Sequence, residues 1–197
     1  AVFARKFRRQ LFPDTPTLFA SVDQRYLGDA PLGDNETAVA AVNDFPRLID
    51  NILQLLPQTK QVFMVMGSGQ VGQFWRRELE NEFRRFHDRL TFVWFDQLSV
   101  QETLRRSASL PENSAIVYVI FSTDGTGVAF ADERMFAELH ATANAPLFAP
   151  FSVYLGAGVV GGSLLSIPDL SRDSADVAGR LLNGAPPSSI RLPSRAT

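Results

Sequence analysis

The chain of 197 residues contains no cysteine and only two histidines, His87 and His140. The first absence excludes disulfides, thiolate zinc sites and cysteine nucleophiles, and the second excludes a histidine-rich metal centre. An excess of one charge is missing too: 19 basic against 21 acidic residues leave a net of −2. That argues against a general nucleic-acid binder, which carries a basic excess. Long hydrophobic runs are also absent. The longest, Ala115 to Phe121, is strand-sized and far short of the roughly 20 residues a membrane-spanning helix needs. No G-x-S-x-G elbow, H-E-x-x-H helix or G-x-x-x-x-G-K-[ST] loop occurs. What is present is apolar and aromatic: 45% hydrophobic residues and 16 Phe supply a full core and exclude intrinsic disorder.

The first residues, AVFARKFRRQL, read as an amphipathic helix with Val2, Phe3, Phe7 and Leu11 on one side. A chain that opens in mid-pattern is expected of an excised fragment whose upstream part, with any export signal, lies elsewhere. A Pro13–Pro16 turn leads to a strand over Thr17 to Val22, and Tyr26 to Glu36, with Gly28, Pro31, Gly33 and Asn35, reads as a loop and the best domain boundary. Thr37 to Val42 is a second strand. Asn43 or Asp44 can cap a helix that runs to Leu56, with Pro46 in its first turn. Then the period alternates regularly. Strands are expected at Gln61–Met66, Leu90–Phe95, Ala115–Phe121 and Pro146–Ala149, and helices at Gln70–His87, Val100–Ser109, Asp132–Thr142 and Ser171–Leu182. Ser188–Leu192 is a candidate final strand in a Pro- and Ser-rich tail expected to fray. Ala115–Phe121 is apolar at every position, as a strand covered on both faces must be. The class is α/β, with mostly parallel sheets and helices on both faces.

Open parallel sheets bind ligands beyond the carboxyl ends of their strands. That rule selects Asp23-Gln24-Arg25, Gly67 to Gly72, Asp96-Gln97, Ser122 to Gly127 and Phe151 to Gly158, the last four on one rim. Gly67-Ser68-Gly69-Gln70-Val71-Gly72 matches G-x-G-x-x-G between a strand and a helix, and the next strand ends in Asp96. A dinucleotide would place its pyrophosphate on that helix N-terminus and a ribose hydroxyl on Asp96. Against this, the helix continues with bulky Phe74 and Trp75, where close strand–helix packing wants small side chains. The other reading is a turn whose amides hold a carboxylate or another anion. Asp124 either faces an amino or hydroxyl group of a ligand or caps its own turn. Phe151, Ser152 and Tyr154 either stack on a ligand or pack in the core. Gly156, Gly158, Gly161 and Gly162 are mainly backbone devices. His87 and His140 read as surface groups. The run Arg76 to Arg89, five Arg against four acids, reads as a solvated helix face.

Several stretches taken in order carry a resemblance: QLFPDTPTLFASVDQRYL (10–27), DFPRLIDNILQLLPQTKQVFMVMG (44–67), FWRRELENEF (74–83), FVWFDQLS (92–99), APFSVYLGAGVVGGSLLS (149–166) and AGRLLNG (178–184). Together they resemble the substrate-binding-protein-like sensor region found upstream of bacterial histidine kinase modules, within the type 1 periplasmic binding protein family of ABC transporters. The resemblance implies two flavodoxin- or Rossmann-like α/β lobes with a ligand between them, the first lobe incomplete. Residues 1–36 would be its remnant, 37–184 the second lobe with the hinge crossing, and 185–197 the tail. It implies ligand contacts from Asp23 and Gln24 in the first lobe and from Ser68, Gly69, Gln70, Asp124, Ser152 and Tyr154 in the second. The ligand would be a small organic solute such as an amino acid, with no cofactor, no metal and no catalysis. The partners implied are a downstream transmembrane and kinase module and a second copy in a homodimer, outside the cytoplasm in a membrane-anchored parent. The alternatives are an NAD-binding enzyme built on residues 67–72 and a soluble transporter solute-binding protein.

Overall fold

The computed structural model describes residues 2–28, 31–192 and 194–196. Asp29 and Ala30 of the expected 26–36 loop lie outside the described residues, as do Pro193 and Thr197 of the tail. The chain forms two compact units, Ala1–Asn43 with Leu165–Thr197, and Asp44–Leu164.

The second unit is built on strands β3 (Gln61–Val65), β4 (Thr91–Trp94), β5 (Ser114–Tyr118) and β6 (Leu147–Phe148), all parallel and ordered β4-β3-β5-β6. Every residue of β5 is buried, so this strand has no wet face to alternate with. Helix α2 (Phe45–Leu55) leads into β3, and α3 (Gln70–Glu82), α4 (Val100–Ser107) and α5 (Asp132–Thr142) connect the four strands. Asp44 is the cap of α2, its carboxylate accepting from the Arg47 amide at 2.9 Å, with Pro46 in the first turn. That helix buries Phe45, Leu48, Ile49, Ile52 and Leu53, at roughly 2 kcal/mol per side chain. Ser99 caps α4 through the Glu102 amide.

The helix expected over Gln70–His87 ends at Glu82 and tightens into a 3₁₀ turn, Phe83–Phe86. In a 3₁₀ turn residues i and i+3 eclipse, so Phe83 and Phe86 are both buried there, and Phe83 stacks on Phe92 at 4.6 Å.

The first unit holds α1 (Val2–Leu11) and a parallel sheet ordered β1-β2-β7, from Thr17–Asp23, Glu36–Val42 and Arg195–Ala196. A bulge interrupts β1 between Phe19 and Val22, where Ser21 takes φ 52° and its hydroxyl meets that of Ser174 at 3.1 Å. Ser174 lies on α6, which spans Ile167–Leu182. It starts four residues earlier than expected, because Ser166 caps the Asp169 amide and Pro168 occupies the first turn.

This division differs from the one expected at residue 36. Glu36–Val42 belongs with the first unit because it pairs with β1, and α6 belongs there because it packs on β1 and β2. The tail also differs from a frayed end. Ser188–Leu192 is not a strand: Pro187–Ser189 is a 3₁₀ turn, Ile190 is 1% exposed, and its carbonyl accepts from the Thr37 hydroxyl at 2.6 Å. Arg191 donates to the Glu36 carbonyl at 2.9 Å.

Candidate functional site

The strand order places the start of the second unit's sheet at its middle. From β3 the chain goes outward to β4, then crosses back to β5 on the other side. The loops after β3 and β5 therefore leave in opposite directions, which opens a crevice at their carboxyl ends. Gly67–Gly72 and the loop from Ile120 to Gly127 meet there.

The two loops interlock through the backbone. The Gly67 amide donates to the Ile120 carbonyl at 2.9 Å, and the Ser68 amide to the Thr123 carbonyl at 2.9 Å. The Ser68 hydroxyl donates to the Asp124 carbonyl at 2.5 Å, so its proton is spent inside the loop pair. The Gly125 amide donates to the Leu98 carbonyl at 2.8 Å, which joins the loop after β4. The glycine pattern follows from this closeness. A Cβ at Gly72 would lie 1.7 Å from the Gly67 carbonyl oxygen, and one at Gly125 would lie 2.1 Å from the Gln97 backbone.

Gly69 precedes α3 with no side chain to cap it. The first amides of α3, starting at exposed Gln70, therefore lack intrahelical acceptors. Two hydroxyls stand beside them, since a Cβ on Gly69 would be 3.7 Å from Ser122 Oγ and 3.9 Å from Thr123 Oγ1. These are neutral donors at the positive end of a helix dipole, a combination that suits a carboxylate or another anion.

The carboxylates of this rim are engaged internally. Asp124, 5% exposed, accepts from the Thr126 amide (2.9 Å) and hydroxyl (2.7 Å), the Val128 amide (3.0 Å) and the Val100 amide (3.2 Å). Burial pushes its pKa up, but the hydrogen bonds from Thr126, Val128 and Val100 outweigh this and hold the carboxyl below its ordinary value. Of the two readings the sequence left open, this is the geometry of the cap.

Tyr154 is buried, and its hydroxyl donates to Asp132 Oδ2 at 2.5 Å; the Tyr118 hydroxyl and the Phe121 amide both donate to Asp132 Oδ1 at 2.7 Å. Phe136 stacks on Tyr154 at 4.8 Å. Burial first, then the Asp132 carboxylate, push both phenols well above their usual pKa. Asp132, which the sequence marked only as a helix start, is thus the acid that organises this corner. Ser152 is half-buried in the turn Ser152–Tyr154, and its hydroxyl has no protein partner among the described residues. Val71, Val153 and Leu155, in two of the loops that the strand-end rule selects, are exposed, as are the polar Gln70, Ser122 and Thr126.

Asp96, the acid a ribose would need, accepts from Arg76 at 2.9 Å and from Gln97 at 3.2 Å, while Arg76 lies 4.1 Å from the centre of the Trp94 ring. The glycine fingerprint is present, but its acidic partner is committed to holding α3 against β4.

In the first unit, Asp23 ends β1 and Gln24 follows it, and both line an open cavity of about 390 Å³ with Arg25, Gly28 and Val42. Asp23 is 8% exposed and caps the turn Gln24–Leu27 through the Arg25 amide. It also accepts from Arg25 Nη1 at 3.0 Å and from the Asn43 side-chain amide at 2.9 Å. Gln24 is exposed and accepts from the Ser194 hydroxyl at 2.9 Å. Arg25 lies in a loop the strand-end rule selects but is not among the ligand contacts the resemblance implies. Asn43 stood in the sequence only as a candidate helix cap, a role Asp44 takes. No group of three or more His, Asp and Glu able to hold a metal occurs among the described residues, nor does a helix long and apolar enough to cross a membrane.

No family model and no curated protein matches the chain. Solved structures do. A conserved domain protein from Vibrio cholerae superposes with a TM-score of 0.63 at 17% identity, covering 100% of this chain and 73% of that one. An ABC domain from Streptococcus pneumoniae in complex with L-Trp gives 0.65 at 18% identity, over 93% of this chain and 62% of that one. A substrate-binding protein with adhesive properties from Clostridium difficile, in a ligand-free, open structure, gives 0.63 at 15% identity over 92% and 61%. The chain thus spans about three fifths of the length of the latter two proteins. Identities this low speak for architecture alone: the chain has the α/β fold, with parallel sheets and helices, of periplasmic-binding-protein-like solute-binding proteins.

Proposed function

We propose that the chain is a non-catalytic small-molecule-binding domain, working outside the cytoplasm as the sensor region of a membrane-anchored signalling protein with a downstream histidine kinase module. The observation that carries the binding reading is the crevice between the loops after β3 and β5. It presents uncapped α3 amides and the Ser122 and Thr123 hydroxyls, with Val71 exposed in the first turn of α3. Such a rim suits a small organic solute with a carboxylate end and an apolar body, for instance an amino acid. The pneumococcal neighbour with L-Trp is consistent with that class. A ligand that binds one arrangement of the two units better than another shifts their equilibrium by its differential affinity, about 1.4 kcal/mol per tenfold.

A second reading, a transporter solute-binding protein, draws equal support from neighbours described as an ABC domain and a substrate-binding protein. The domain content of the complete gene separates the two, since a kinase module downstream is incompatible with a free carrier. Binding itself is tested by thermal unfolding with a panel of L-amino acids, organic acids and NAD. A ligand present at 100 times its Kd should add about 2.7 kcal/mol. A saturable shift with NAD and none with amino or organic acids would overturn the reading in favour of the dinucleotide enzyme, and no shift with any of them would remove the binding assignment.

A further inference from the structure

A strand at the margin of a sheet keeps one row of backbone donors and acceptors free for another chain. The second unit's sheet has two margins, and the chain treats them differently. At β6 the following loop closes the row: the Val160 amide donates to the Leu147 carbonyl at 2.8 Å, and the Ala149 amide to the Gly161 carbonyl at 3.2 Å. At β4 the row stays open. This strand pairs with β3 in an unbroken register, from Thr91 opposite Gln61 to Trp94 opposite Met64. The Thr91 and Phe95 amides donate to the Lys60 and Met64 carbonyls, both at 2.9 Å. Alternation along the strand turns the Val93 backbone toward β3 as well, and the Phe92 and Trp94 backbones away from it. Those two amides and two carbonyls have no hydrogen-bond partner among the described residues. Nor is the margin blunted in the usual ways. A bulge at Ser21 interrupts β1, whereas Thr91–Trp94 has no bulge, proline, glycine or charge. Past Thr91 its side chains are half-buried and apolar. Phe92 and Trp94 lie on one face, with ring centres 4.6 and 6.4 Å from that of Phe83, and Val93 packs with the core on the other.

We propose that this margin is an interaction surface whose occupant is β4 of a second copy of the chain, paired antiparallel about a twofold axis at Val93. An axis normal to the sheet keeps every side chain on its own face, so it passes at a residue and not between two. At Val93 it sets Phe92 opposite the partner's Trp94, twice. Each of these pairs exchanges both amide–carbonyl bonds, and all four free groups of each copy are used. An axis at Phe92 would instead need the Leu90 amide, which already donates to the Phe86 carbonyl at 2.8 Å. The side chains favour a second copy over another extended segment. The same two pairs bring Phe and Trp rings together across the strands, a contact that stabilises sheets, and Val93 meets its own equivalent on the other face. The contact is isologous and closes on itself, joining two four-stranded sheets into one of eight. A net charge of −2 leaves little repulsion between copies. This goes beyond the binding reading and does not rest on it.

Because the chain has no cysteine, single cysteines introduced into the full chain report the register directly. Sedimentation equilibrium of the parent should show a mass that rises with concentration from 21.8 kDa toward twice that value. In Val93→Cys the two sulfurs face each other across the axis, with Cα atoms about 4.5 Å apart, so mild oxidation should give a disulfide-linked dimer. In Thr91→Cys they stand four residues out of step, about 13 Å along the strands, and the linked fraction should be at least about fivefold smaller. Trp94→Pro removes one outward amide, leaves the β3 ladder in place and should sediment as a monomer. Circular dichroism checks that each variant is folded; if Trp94→Pro does not fold, the two cysteine variants decide. A parent that stays at 21.8 kDa at every concentration, a dimer that Val93→Cys does not link, or equal linking through Thr91→Cys would overturn the proposal.

Discussion

Removal of the Asp124 carboxylate tests how the candidate rim is built. In Asp124→Ala three backbone amides and one hydroxyl lose their acceptor. Thr126 and Val128 are exposed, so their amides turn to water at little cost. The Val100 amide is different, because the bond it loses is buried. An orphaned buried donor costs about 1–3 kcal/mol, and loss of charge-assisted bonds that order a loop adds about 1 kcal/mol. The expected destabilisation is therefore about 2–4 kcal/mol, measured in ligand-free protein by urea unfolding followed at the tryptophans, both in the second unit. Asp124→Asn keeps one acceptor and should lose about half as much. The pH dependence has a definite sign. A folded-state pKa below the unfolded value contributes stability that is present above the unfolded pKa, about 3.9, and is lost as pH falls through the folded value. The gap between parent and Asp124→Ala should hold steady above about pH 5 and close below about pH 4. A ligand-free Asp124→Ala within about 0.5 kcal/mol of the parent at pH 7 would refute the cap and return the carboxylate to the ligand.

Gly72→Ala should cost more than about 3 kcal/mol, because its Cβ would sit 1.7 Å from the Gly67 carbonyl, whereas Gly161→Ala, with nothing within 4 Å, should cost less than about 1 kcal/mol; thermal melts of the pair decide. Tyr154→Phe should lose about 1–2 kcal/mol in urea unfolding, because Asp132 keeps its bonds from Tyr118 and Phe121 but loses one donor. All three tyrosines of the chain have raised pKa values, with burial the leading cause at each. A spectrophotometric titration should show phenolate forming at higher pH in the folded protein than in the urea-unfolded chain. Their contribution to stability is full below about pH 10 and is lost as pH rises through the folded values, so alkaline unfolding and phenolate formation should coincide.

The fold of the second unit was legible because its strands are short apolar runs that need no partner to be recognised. QVFMV and SAIVY sit between helices whose apolar residues repeat at three and four, and Asp44 marks a helix start by chemistry local to the chain. What could not be read was assignment across the sequence. β2 belongs with β1, and Ile167–Leu182 and Ile190 belong with residues more than a hundred positions earlier. No local pattern carries that information. The 3₁₀ turn at Phe83–Phe86 was hidden for a related reason: the helical stripe continues in sequence, and only the packing of Phe83 on Phe92 selects the tighter winding.

The site was legible as loops but not as roles. The rule that ligands gather at the carboxyl ends of parallel strands selected Ser68, Asp124 and Tyr154; the loops of Ser68 and Asp124 meet through the backbone, while Tyr154 is bonded to Asp132 at the start of α5. It does not say which groups keep free capacity. An acid after a buried strand lies where open amides from the next helix and turn also converge. Asp124 meets those of Val100, Thr126 and Val128, and Asp132 meets the Phe121 amide and two phenols. The same convergence that makes a strand end a good ligand site makes it a good cap, and a carboxylate there is drawn to whichever donors are already fixed in place. What remains for a ligand are groups the loop cannot satisfy by itself: the uncapped amides of α3, and the hydroxyls of Ser122, Thr123 and Ser152. On the binding reading proposed above, specificity at this rim would be set by neutral donors on a fixed backbone, with the acids serving to fix it.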